Sequence, residues 1–188
     1  MSINKFKTIR HIETVRNIIG VVIKNLIDRC STHDQSKLQP PEIDVFEEYT
    51  PKLRDLTYGS EEYKQALTGM KPALDHHYTY NRHHPEHFKK YVCNGCFKEY
   101  ISCPNSCDVC GYSSFQIEAD ISQMNLLDVL EMLCDWKAAT LRHNDGDIMK
   151  SIKINKERFG ISDQLTSILE NTATWLEDQN YYNKANES

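Results

Sequence analysis

Apolar side chains recur along residues 4–29 at Ile9, Ile12, Val15, Ile19, Val22, Ile23 and Leu26, with no proline and a single glycine in between. Steps of three and four are the period of an α-helix, and they predict one long helix with a buried apolar stripe. The segment "QPPEIDVFEEY" restarts a helix with Pro41 near its first turn, where the missing amide is tolerated. In "GSEEYKQALTGMKPALDHHYTYN", Ser60 is placed to cap a helix and two acids follow it in the first turn. Gly69 and Pro72 predict a break or kink there, making the histidine-rich end a separate helix. An apolar run from Asn125 to His143 predicts a further helix stopped by "NDG", and "DIMKSIKINKERF" and "SDQLTSILENTATWLEDQ" predict two more. Alternating strand patterns are absent outside one cysteine-rich stretch. The expected fold class is all-α, a helical bundle whose tail "NYYNKANES" is frayed and flexible.

That stretch, residues 89–117, loses the helical period and fills with Cys, Gly, Pro and Asn. Cys93 and Cys96 form one C-x2-C pair and Cys107 and Cys110 a second, ending in the turn-like "CGY". Two such knuckles present four thiolates to one ion, the ligand set of structural zinc, with no open position for a substrate. The expected organisation is a helical domain over 1–88 and 118–180, an inserted zinc-ribbon or knuckle module over 89–117, and a tail at 181–188. Cys103 is surplus, a free thiol or a replacement for an outer ligand. Cys30 and Cys134 fall in helical segments and read as small core residues.

Composition narrows the function classes. A chain of 188 residues is long enough for one domain and a small insertion. With 22 basic against 27 acidic residues it lacks the broad positive footprint of a duplex-DNA binder. No stretch has the uninterrupted apolar length of a membrane span or an export signal, so a soluble cytoplasmic protein is expected. Seven cysteines, an odd number with five of them between 93 and 110, point to metal rather than disulfides.

The candidate chemistry lies in His, Asp and Glu. His11 shares a helical face with Val15, Ile18 and Val22 and is expected to point inward. His33 and Asp34 follow "CST", in which Ser31 and Thr32 are capping types, so "HDQSKL" reads either as a helix start or as a metal-binding corner. Asp128, Glu131 and Asp135 align on one stripe of an apolar helix, and burying them requires solvent or cations as partners. Imidazoles with carboxylates suit manganese, iron, cobalt, nickel or zinc. Such an ion acidifies water and clamps phosphoryl oxygens.

The order His11, then His33 with Asp34, then Asp135 resembles the H…HD…D skeleton of the HD-domain superfamily of metal-dependent phosphohydrolases, with Ser36 where the "HDxGK" form has glycine. More closely, "HDQSKL", "EEYTPKL", "YGSEEYK", "MKPALDHHYTYNRHHPEHF", "LLDVLEMLCDWKAATLRHNDGDI" and "INKERFGISDQL" resemble an uncharacterised family of phages and bacteria, over nearly the whole chain apart from the cysteine insert. The HD resemblance implies a helical bundle, a metal on those four residues, and hydrolysis of a nucleotide or related phosphate ester. Lys37 matches a lysine that serves phosphate or further metal in some of these enzymes. Later histidines would take a second metal: His77 and His84 on one helical face with Asn81 if the helix continues to Pro85, or His76 and His83. Arg82 would hold phosphate or be a solvated charge, and Glu131 or one of the 76–87 histidines would protonate the leaving oxygen. Glu86 and His87 read as loop ligands, a general acid or polar surface. Trp136 is expected in the core, and "DGD" at 145–147 as a helix stop and cap. The alternative is an HD-like zinc-binding interaction protein without catalysis, its Lys89, Lys90 and Lys98 interleaved with aromatics for a protein or single-stranded nucleic acid. HD-like bundles often pair, so a homodimer is an open expectation.

Overall fold

The computed structural model describes residues 3–54, 56, 60–142 and 146–179, and the chain divides into two compact units, Met1–Gln35 and Ser36–Ser188. The first unit is one uninterrupted helix, α1 (Ile3–Thr32), which absorbs "CST". Ser31 and Thr32 turn their hydroxyls back onto the carbonyls of Ile27 and Asp28, at 3.0 and 2.9 Å, instead of capping a new helix. The His33 amide closes the last turn on the Arg29 carbonyl at 2.7 Å, and Asp34 adopts the left-handed conformation, φ 56°. That is how helices commonly end. The HD pair therefore closes α1 and leads into a single 3-10 turn, Gln35–Leu38, rather than starting an α-helix. The expected burial of the α1 stripe is also corrected: Ile12, Val15, Ile19, Val22 and Ile23 are 39–51% exposed, and His11 is exposed with them. A single helix offers no second surface to cover its own apolar face.

The second unit opens with α2 (Ile43–Arg54) and α3 (Glu61–Tyr80). Ser60 caps α3 by accepting the Tyr63 amide at 3.1 Å. The expected break within α3 does not occur. Pro72 sits inside the helix, where it removes one amide donor, and the turns on either side continue. Gly69 has a packing role instead: a Cβ there would lie 2.4 Å from the Tyr49 hydroxyl, so the missing side chain lets α2 approach α3. The helix ends at Tyr80 because Asn81 leaves helical space and its amide and side chain both donate to the His77 carbonyl, at 3.0 and 2.8 Å.

The strands β1 (Lys89–Cys93), β2 (Glu99–Tyr100) and β3 (Phe115–Ala119) form an antiparallel sheet of order β2-β1-β3, with Tyr91 opposite both Tyr100 and Ile117. The chain then completes three helices, α4 (Leu126–Thr140), α5 (Ile148–Phe159) and α6 (Asp163–Asp178). Each starts on a side-chain cap, from Asn125, Asp147 and Ser162. Their apolar faces meet in a core of Leu133, Ile148, Ile152, Ile161, Leu169 and Ala173. Trp136 packs against it, stacked on Phe159 at an interplanar angle of 8°, as expected of a core residue. His143 and the tail from residue 180 onward lie outside the described residues. No helix among the described residues is long and apolar enough to cross a membrane.

Ile152 is fully buried whereas Ile12 is 43% exposed. Ile152→Ala should cost about 2–5 kcal/mol in denaturant unfolding, and Ile12→Ala no more than about 0.5 kcal/mol. Equal costs would show that the α4–α6 cluster is not the stabilising core.

Candidate metal centres

The four sulfurs of Cys93, Cys96, Cys107 and Cys110 all lie within 4.8 Å of one another, with Cys93–Cys110 at 3.6 Å and Cys96–Cys107 at 3.4 Å. Thiolates about 2.3 Å from a tetrahedral zinc ion stand about 3.8 Å apart, so the group can hold a metal such as zinc. The two knuckles repeat one backbone pattern. The amide of the first cysteine donates five residues ahead, Cys93 to Lys98 at 2.9 Å and Cys107 to Tyr112 at 2.7 Å. The first cysteine's carbonyl accepts from four residues ahead, from Phe97 at 2.9 Å and Gly111 at 2.8 Å. Those two residues are left-handed, φ 60° and 73°. Glycine adopts that conformation freely, whereas Phe97 holds it against an unfavourable Cβ contact. "CGY" advertises the second knuckle, and nothing in "CFK" advertises its twin.

Around the second knuckle, the Tyr100 hydroxyl donates to Cys107 Sγ at 3.2 Å and with nearby amides pulls that thiol down to about 6. Lys98, at 2.7–2.8 Å, and then Tyr100 hold the Asp108 carboxyl below its ordinary range. Cys103 is exposed and stands outside the four-sulfur group. Cys30 and Cys134 are exposed rather than core residues, because their helices turn those positions outward.

A second cluster forms where α3 ends. Glu42, with no exposed surface, accepts from His76 Nδ1 at 2.6 Å, His77 Nδ1 at 2.9 Å and Ser36 Oγ at 3.0 Å. Asn81 Nδ2 in turn donates to Ser36 Oγ at 2.9 Å. With Nδ1 committed to Glu42, buried His77 turns Nε2 the other way, to within 2.9 Å of His84 Nε2. Buried His83 brings Nδ1 to 3.3 Å from Glu131 on α4. Ligand atoms of His77, His83 and His84 all lie within 4.8 Å of one another. Two nitrogens on one zinc-sized ion stand about 3.3 Å apart, and a carboxylate behind an imidazole is the usual support for such a ligand. The geometry fits an ion. His84 is pushed down from its ordinary 6.5 to about 3, chiefly by burial and then by the neighbouring His83 and His77, with Asp135 pulling the other way. Its ring is therefore neutral and ligand-competent at any physiological pH.

The expected pairing of His77 with His84 is found, but by another route. The helix stops at Tyr80, and a turn through Asn81 folds His83 and His84 back over His77. His76 faces Glu42 rather than His83. The acid stripe of α4 meets the histidine segment, Asp128 at Arg82, Glu131 at His83, and Asp135 through its field on His84. Arg82 donates to both oxygens of fully buried Asp128, at 3.0 and 3.3 Å, so it is a paired cation, with its side chain about half exposed. Glu86 accepts from Arg158 at 2.6 Å, and His87 Nδ1 donates to the Tyr78 carbonyl at 3.0 Å. Lys37 lies over the Phe46 ring, 5.1 Å from its centroid, and its charge reaches His84. His33 and Asp34 lie 3.6 Å apart at the end of α1. His11 cannot share an ion with that pair within one chain, because 22 residues of uninterrupted helix put it about 33 Å away. Sequence reasoning missed Glu42, whose only signal was an acid beside the Pro-Pro turn.

The model of a family of unknown function, DUF5662, matches residues 2–178. The chain belongs to that family. Comparison with curated proteins and with solved structures gives no match. The expected kinship covered nearly the whole chain apart from the cysteine insert; the match runs through that insert as well, it carries no activity, and it gives no support to the HD resemblance.

Removing one thiol by Cys107→Ser should lower zinc to well below one per chain and abolish protection of the β1 amides in hydrogen exchange, with the α4–α6 amides unaffected. Full zinc content in that variant would rule out the four-sulfur site. Since His84 titrates lower in the fold than its ordinary value, its contribution to stability is complete above pH 6.5 and is lost as pH falls toward 3. Without added transition metal, the thermal midpoint should fall across that window, and by less in His84→Asn. Identical pH profiles would count against the packed neutral imidazole.

Proposed function

We propose that this DUF5662 chain is a metal-dependent phosphohydrolase whose ion is held by His77, His83 and His84. The observation carrying this reading is the convergence of three imidazoles within 4.8 Å, one of them backed by a fully buried carboxylate. A set of nitrogens with nearby carboxylates suits manganese, iron, cobalt, nickel or zinc. A bound ion would supply the Lewis acid that acidifies a water and polarises a phosphoryl oxygen. The chain's own groups divide the remaining work. Glu42 fixes the His77 tautomer, Glu131 and Asp135 add negative charge beside the ligands, and Glu131 is the candidate for moving a proton to the leaving oxygen. Lys37, over the Phe46 ring, supplies positive charge for phosphate, and Arg82 orients the histidine segment through Asp128. His33 and Asp34, just ahead of Ser36 in the chain, remain ligand candidates on the strength of the HD resemblance.

The rival reading, an interaction module, draws on the exposed side chains Phe97, Ile101 and Val109 of the cysteine module, 66–78% exposed. Its nucleic-acid form is weakened because Lys90 pairs with Glu99 and Glu118, and Lys98 with Asp108.

The test pairs elemental analysis with hydrolysis of a generic phosphate ester and a nucleotide panel under added manganese, cobalt or nickel. Zinc near one per chain, a second ion, and metal-dependent phosphate release are expected. His77→Ala should abolish turnover, and Glu42→Gln should weaken the second ion about 10–100-fold. Zinc alone and no turnover with any metal would overturn the enzyme and favour the interaction module.

A further inference from the structure

Beside the histidine cluster, a cleft of about 460 Å³ opens between the chain leaving α3 and the sheet of the cysteine module. That volume falls in the range of small-molecule sites. Three of its lining side chains, Arg82, His87 and Lys89, are basic, and none is a carboxylate. The preference for an anion is thus built into the wall.

Each basic group is prepared differently. Lys89 is exposed, and among the described residues no carboxylate pairs with it, so its charge is available. Arg82 is held on one edge by Asp128 and laid over the Phe88 ring at 4.8 Å, which fixes a half-exposed guanidinium in the cleft. His87 spends Nδ1 on the Tyr78 carbonyl at 3.0 Å, which leaves Nε2 for a hydroxyl. Apolar surface comes from Tyr91, two residues along β1 from Lys89 and so on the same face of the strand, and from Ile101, which is 78% exposed. The lining thus offers two cations for an anion, an imidazole nitrogen for a hydroxyl, and apolar surface for a ring.

We infer that this cleft binds a nucleoside monophosphate, its phosphate on Lys89 and Arg82, a sugar hydroxyl on His87 and its base against Tyr91 and Ile101. The cysteine module thereby forms the specificity wall. The inference rests on the proposed hydrolase only for the ligand's being a substrate; binding requires no turnover.

Isothermal titration of the full chain as purified, with its zinc and no added transition metal, tests it. Adenosine and uridine monophosphates are compared with adenosine, inorganic phosphate and phenyl phosphate. Saturable monophosphate binding is expected, with adenosine and inorganic phosphate each at least about tenfold weaker. Lys89→Glu should weaken the monophosphates at least about tenfold and leave adenosine unchanged. Ile101→Asp should weaken adenosine as well, and unchanged zinc content and circular dichroism would show that both variants fold. No monophosphate binding, undiminished binding by Lys89→Glu, or inorganic phosphate bound as tightly as the nucleotides would overturn the inference. Nucleotide binding without hydrolysis under any metal would uphold the cleft and remove the hydrolase. Ester hydrolysis without nucleotide binding would do the reverse.

Discussion

A single carboxylate with no exposed surface organises the interior of the second unit. Glu42 accepts hydrogen bonds from two adjacent imidazoles and a serine hydroxyl, and those donors come from the start of the unit and the last turn of α3. Burying such a group without donors would be costly, so the segment leading into α2 and the end of α3 are bound to one arrangement. The consequence is chemical as well as structural. With Nδ1 of His77 fixed on Glu42, Nε2 is directed at His84, and the histidine cluster acquires an inner face.

The remaining polar contacts extend that constraint outward. Arg82 on Asp128 and His83 on Glu131 bind the chain leaving α3 to α4, and α4 is locked to α5 and α6 by the apolar core. Asp128 serves twice, completing the capping box with Asn125 and accepting both arms of Arg82. A helix start and a tertiary ion pair are thus one feature. The cysteine module is stabilised by different means. Its sheet is too small to bury a core of its own, and two backbone-equivalent knuckles around four sulfurs supply the constraint instead.

Much of this is legible in local chemistry. Helical period, Ser60, Asn125 and Ser162 as caps, and two C-x2-C pairs are short-range signals, and the elements they mark are present. Local signals fail where the outcome depends on neighbours. Pro72 reads as a breaker, yet one lost amide donor is tolerated in a helix packed against α2. "CST" reads as a turn, and its hydroxyls instead bond back into α1. The H…HD…D order puts His11 with His33, but order along a chain is not proximity when one uninterrupted helix lies between them.

The sequence by itself determined the helical class, the zinc-type ligand set and the concentration of imidazoles and carboxylates, because each depends on residue type and on spacings of a few positions. Only the tertiary structure decided which of those groups meet. His77 reaches His84 through a turn at Asn81, Arg82 is held by Asp128, and Glu42 stands behind His77 from 35 residues away. Those choices come from matching buried donors to acceptors across elements, a condition that no window of sequence contains.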